Sequence, residues 1–236
     1  MNTLIIMLPL LGTVLGTLSV FLIKKNNDKT KQLTLGFSSG VMLVVTFLSL
    51  IIPALDLVKD TTNTWFPIIF GILLGVFIIL SLDLIINKKR TNNALIIVIA
   101  IILHNIPEGF ATGVSLVGSV TNNISINDAL LLSLAITLHN IPEGIIVALN
   151  SKNKKDAIKF GILSGIVEPI SAFLTFLITK EIINLMPYML TFAGGAMLYV
   201  ICDELIPESK NKNNKLGVIG VSIGIIIMLL LEIIFG

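Results

Sequence analysis

The chain has 236 residues, of which 55% are hydrophobic and only 13% charged, and its mean hydropathy is +0.99. That is about half the charged share of an ordinary soluble domain, too little to clothe one in polar side chains. A net charge of +2 and the lone Cys202 also exclude a basic nucleic-acid-binding face, a disordered charged tail and an internal disulfide scaffold.

A helix needs about 20 mostly apolar residues to cross the hydrocarbon of a bilayer. Eight segments qualify in chain order: 4–23, 33–52, 65–86, 94–117, 128–149, 158–178, 186–206 and 216–235. Their long runs of Leu and Ile, without alternation, exclude an outer-membrane barrel. The first segment lacks a basic n-region and a small-residue cleavage site, so it reads as a span and not as a signal peptide. The connections are short and carry no soluble domain. The expected fold is all-α, a single transmembrane domain over 1–236.

Basic residues set the orientation. Lys24, Lys25, Lys29 and Lys31 precede the second span, and Lys88, Lys89 and Arg90 follow the third. Lys152, Lys154, Lys155 and Lys159 follow the fifth, and Lys210, Lys212 and Lys215 precede the eighth. These alternate loops hold 14 of the 16 basic residues, leaving Lys59 and Lys180 for the others. The positive-inside rule then puts the lysine-rich loops in the cytoplasm and both termini outside.

Seven acids fall inside the spans: Asp83, Glu108, Glu143, Glu168, Asp203, Glu204 and Glu232. Asp83, Asp203 and Glu204 lie near cytoplasmic ends, where solvation or pairing with Lys88 suffices. Glu232 reads as a terminal polar residue near the outer end of the last span. Glu108, Glu143 and Glu168 lie about 10–15 residues from either end of their helices, near the midplane. No Lys or Arg shares their depth, so protons or an imported cation must neutralise them.

The only two histidines sit in identical heptapeptides, Leu103 to Gly109 and Leu138 to Gly144, 35 residues apart in adjacent spans. His104, Asn105 and Glu108 share one helical stripe, as do His139, Asn140 and Glu143. Imidazole, amide oxygen and carboxylate together make a borderline metal-ligand set. Pro107 and Pro142 are expected to kink their helices, and Gly109 and Gly144 to permit close approach. Because the two spans are antiparallel, a pseudo-two-fold axis in the membrane plane would bring the stripes face to face at mid-depth. Three spans precede the pair and three follow, a 3+2+3 arrangement.

The doubled HNIPEG, followed by Gly165-Ile166-Val167-Glu168-Pro169-Ile170, resembles the ZIP (Zrt-, Irt-like protein) family of divalent metal transporters over essentially the whole chain. That resemblance implies uptake of zinc, and often iron, manganese, cobalt or cadmium, through a binuclear site. One centre would use His104, Glu108, His139 and Glu143 with Met42 nearby. The other would use Asn105, Glu108, Asn140, Glu143 and Glu168, with Glu108 and Glu143 bridging. The run Asp203 to Glu208 resembles the family's seventh-span ending and an inner exit. The chain departs from many members in its short loop Asn87 to Asn93, which lacks histidine, and in Ser49 and Ala54 at the outer end of the second span. Metal sensing by that loop is therefore not expected, and the outer entrance is less acidic.

The metal enters this reading as transported substrate, with no prosthetic group. The bilayer is the other partner, nucleic acid is not one, and a homodimer is compatible. Abundant Ile, Asn and Lys point to an AT-rich microbial genome and a bacterial cytoplasmic membrane. The alternative is an intramembrane metal-dependent enzyme, which would need a motif such as HExxH that the chain lacks. A carrier of organic cations would use the carboxylates and leave the paired histidines and asparagines idle.

Overall fold

A backbone at hydrocarbon depth has to satisfy its own hydrogen bonds, so long apolar runs become helices. The computed structural model describes residues 2–22, 28–59, 65–87, 94–151, 153–181, 183–210 and 214–235, without the side chains of 2, 86–87, 94–104, 150, 179–181, 183 and 235. In chain order, α1 is Asn2–Leu18, α2 Asp28–Val58, α3 Trp65–Asn87 and α4 Ala94–Val120. Then come α5, Ile126–Asn150, and α6, made of Lys154–Gly165 and Val167–Glu181 joined at Ile166. Last are α7, Met186–Ser209, and α8, Leu216–Phe235.

Seven of these helices are long and apolar enough to cross a membrane among the described residues: α1 to α3 and α5 to α8. The eighth expected span, 94–117, falls on α4, a helix of 27 residues whose side chains at 94–104 lie outside the description.

Two helices run past the prolines at which their apolar runs end. The second and seventh spans were expected to close at 52 and 206, just before Pro53 and Pro207. In both, a π-helical segment precedes the proline, Thr46–Ile51 in α2 and Ile201–Leu205 in α7. Each proline then falls in the first turn of a fresh α-segment, Ile52–Val58 or Ile206–Ser209, where a missing N–H costs little. Pro107 and Pro142 stay inside unbroken α4 and α5. Helix α6 starts at Lys154 and not at 158, because Asn153 caps it by accepting from the Asp156 N–H at 2.9 Å.

Packing places α5 at the centre, with 61% of its span buried, against 22% for each of α3 and α8. Helix α1 lies against α5 and α6, α2 against α8 and α5, α3 against α7, and α4 against α6, α7 and α5. Lys31 at the start of α2 pairs with Glu208 at the end of α7 at 3.3 Å. Tyr199 Oη lies 3.3 Å from carboxylate oxygens of both Asp83 and Asp203, tying α3 to α7; Lys88, the expected partner of Asp83, lies outside the described residues.

Glycines bring the backbones together. A side chain at Gly40 would run into the backbone of Val221 and Ile225, and one at Gly195 into the backbone of Ile72. Helices in lipid gain van der Waals contact from such approaches, since no hydrophobic effect drives them together. Neighbouring Gly194 instead faces the Ile51 side chain at 3.2 Å, which can give way. Gly195→Ala should therefore destabilise the detergent-solubilised protein by about 1–3 kcal/mol, and Gly194→Ala by less than half of that. Thermal unfolding of the two variants side by side checks the difference.

Candidate metal centre

The turn between α4 and α5 sets the site. Asn122 takes a left-handed conformation (φ 60°), which Asn tolerates, and the Asn123 and Ile124 N–H groups close α4 on the Gly118 carbonyl at 2.9 and 3.1 Å. From Val120 back to Asn105, and from Ile126 forward to Asn140, the helices climb about 22 Å each. The two asparagines therefore arrive at one level, and Glu108 arrives level with His139.

There the motifs meet. His139 Nε2 lies 3.0 Å from Glu108 Oε1, and one donor atom each from Glu108, His139 and Glu143 lies within 4.8 Å of the others. Nitrogen and oxygen donors on one tetrahedral zinc ion stand about 3.4 Å apart, so closing the set takes a movement of at most about 1.4 Å per pair. All three residues are buried, as are Asn105, Asn140 and Glu168, none more than 5% exposed.

Glu168 organises the asparagines. Asn105 Nδ2 donates to Glu168 Oε1 at 3.0 Å and to the Ser164 carbonyl at 2.9 Å. Asn140 Nδ2 donates to Glu168 Oε2 at 2.7 Å and to the Pro9 carbonyl at 3.1 Å. Each NH2 thus has both protons engaged, and flipping either amide would set its oxygen against two acceptors. The Oδ1 atoms of Asn105 and Asn140 are buried and find no hydrogen-bond donor among the described residues. Paired buried carbonyl oxygens beside carboxylates and an imidazole are suited to a cation.

Two expected residues stand differently. Met42 is buried in α2, one turn beyond Ser38, whose hydroxyl donates to the His139 carbonyl at 2.9 Å. The same face of α2 therefore meets the second motif. The side chain of His104 lies outside the described residues. The structure adds residues the sequence reading passed over: Thr13, which donates to Glu168 Oε1 at 3.3 Å, Ser38, and the carbonyls of Pro9 and Ser164. Nothing in their sequence neighbourhoods marks them, since hydroxyls and carbonyls are common in spans.

Comparison with known proteins bears on the same residues. The family described as ZIP Zinc transporter matches residues 87–232, well over half of the chain and all of both motifs. The chain belongs to the ZIP family. It is 33% identical over 242 residues to the zinc transporter GufA of Myxococcus xanthus, covering 95% of each chain. It is 33% identical over 228 residues to the zinc transporter ZupT of Lysinibacillus sphaericus, covering 85% of this chain and 84% of that one. It is 31% identical to the zinc transporter ZIPB of Bordetella bronchiseptica, covering 95% of this chain and 78% of that one. This ZIP protein is accordingly a multi-pass membrane transporter and not an enzyme.

Removing the Glu168 carboxylate takes the acceptor from one N–H of each buried amide and from the Thr13 hydroxyl. Glu168→Ala should cost about 2–4 kcal/mol of stability without metal, and Ser38→Ala only about 1 kcal/mol. Thermal unfolding in metal-free detergent solution measures both.

Proposed function

We propose that this ZIP protein carries divalent metal ions, zinc foremost, across a bacterial cytoplasmic membrane into the cell. The observation that carries the reading is the buried convergence of Glu108, His139 and Glu143 from two antiparallel helices. Glu108 and Glu143 bridge two metal positions. His104, His139 and Met42 complete one, and Asn105, Asn140 and Glu168 complete the other. His104 stands level with Glu143, as His139 does with Glu108, so the two pairs answer each other across the helix pair. The zinc-transporter names of the bacterial relatives support the choice of metal. Mixed imidazole, amide and carboxylate donors also suit Fe2+, Mn2+, Co2+ and Cd2+.

Eight spans in a 3+2+3 arrangement serve this function, with both termini outside. Helix pairing supports it: exchanging α1 with α6, α2 with α7, α3 with α8 and α4 with α5 turns each packing pair given above into another of them or, for α1–α6 and α4–α5, into itself. Register supports it as well. Pro9 and Ser164, the two carbonyls that hold the asparagines, are 155 residues apart, and so are the close-packing Gly40 and Gly195. Inverted halves around a midplane site are the usual frame for alternating access. A hydrated ion enters from outside, exchanges water for these ligands, and leaves when the site opens inward.

Proteoliposome uptake of ⁶⁵Zn2+ tests the reading. Wild type should accumulate the ion, and Glu143→Ala and Glu108→Ala should each fall at least about tenfold. Equal uptake by wild type and both variants overturns it. Zinc needs deprotonated imidazole and carboxylate donors, so binding should weaken as pH falls and should release protons between about pH 5 and 7. A pH-indicator titration with Zn2+ reads that release.

A further inference from the structure

We propose that Thr13 of α1 is a positioning residue of the metal site, holding the Glu168 carboxylate in the orientation that aims both asparagine oxygens at the ion. The inference rests on the metal-transport reading above and adds to it a helix outside the doubled motif.

Three donors from three helices converge on Glu168. Oε1 accepts from Thr13 on α1 at 3.3 Å and from Asn105 on α4 at 3.0 Å, while Oε2 accepts from Asn140 on α5 at 2.7 Å. Without the hydroxyl, only the two amide donors hold the carboxylate against rotation about its last torsion, which is broad for a glutamate. Rotation would leave one or both NH2 groups held by the Ser164 or Pro9 carbonyl alone and so loosen the direction of Oδ1. Thr13 is fully buried, so water cannot take over its donor role.

The surroundings of Thr13 fit this role. A side chain at Gly165 would meet the Thr13 Cβ at 3.0 Å and its Oγ1 at 3.3 Å, so the glycine leaves the space through which the hydroxyl reaches Glu168. The Thr13 carbonyl accepts from Thr17 Oγ1 at 2.7 Å and faces Gly144 of the second motif. Thr13 also lies four residues beyond Pro9, as Glu168 lies four beyond Ser164. The pairs Pro9/Thr13 and Ser164/Glu168 are thus equivalent, each a carbonyl for one asparagine with a polar side chain one turn later. Where α6 supplies the acid, α1 supplies the donor that steadies it.

Two substitutions separate the hydroxyl from the shape of the residue. Thr13→Val keeps the branched shape and removes the donor, whereas Thr13→Ser keeps the donor and removes the methyl group. Zn2+ binding to the solubilised full chain and ⁶⁵Zn2+ uptake in proteoliposomes are measured for both. Thr13→Val should raise Kd and KM about five- to tenfold with kcat within about twofold, and Thr13→Ser should stay near wild type. An unchanged Kd in Thr13→Val overturns the proposal. So does the reverse order, or an equal loss in both, because either outcome makes packing the role of the residue. Should Thr13→Val fail to fold, Thr13→Ala against Thr13→Ser carries the same comparison. Failure of wild-type uptake would overturn the transport reading itself, which sets the two failures apart.

Discussion

One buried carboxylate ties the centre of this protein together. Glu168 has to be satisfied at a depth where water is scarce, and the chain meets that demand with donors from α1, α4 and α5. Bonds of about 3 Å between four helices require their axes to come unusually close. Gly109 lies against the Glu168 carbonyl and Gly144 against the Thr13 carbonyl, so the glycine that ends each motif lets the neighbouring helix reach the site. Chemistry and packing are therefore coupled: the asparagines that present donors stand four residues, about one helical turn, before the glycines that permit approach.

The motifs and the carboxylates were legible because the membrane penalises them. An unpaired acid at mid-depth stands out in any sequence, and two identical copies of His, Asn and Glu stand out more. Seven of the eight expected spans followed from apolar length, with α3 and α8 the plainest, since lipid-facing helices are apolar on every side. The ends of α2 and α7 were not legible. A proline in sequence reads as a stop, and only the backbone reveals a π-helical segment that moves it into a first turn.

Thr13 and Ser38 escaped the sequence reading for a different reason. A hydroxyl in a transmembrane helix usually bonds back to its own carbonyl one turn earlier, as Thr17, Ser39 and Thr46 do here. Thr13 and Ser38 reach other helices instead, and no local pattern separates them from their neighbours. Asn105 and Asn140 were expected as polar groups of the site from the motif alone, but the division of labour within each amide emerged only from the partners of the NH2 groups.

The left-handed turn at Asn122 fixes equal climbs to Asn105 and Asn140, so the two half-sites are presented base to base. The match ends at the neighbouring helices, where α6 brings the Glu168 carboxylate and α1 the Thr13 hydroxyl. What is unequal about the centre is therefore contributed from outside the doubled motif.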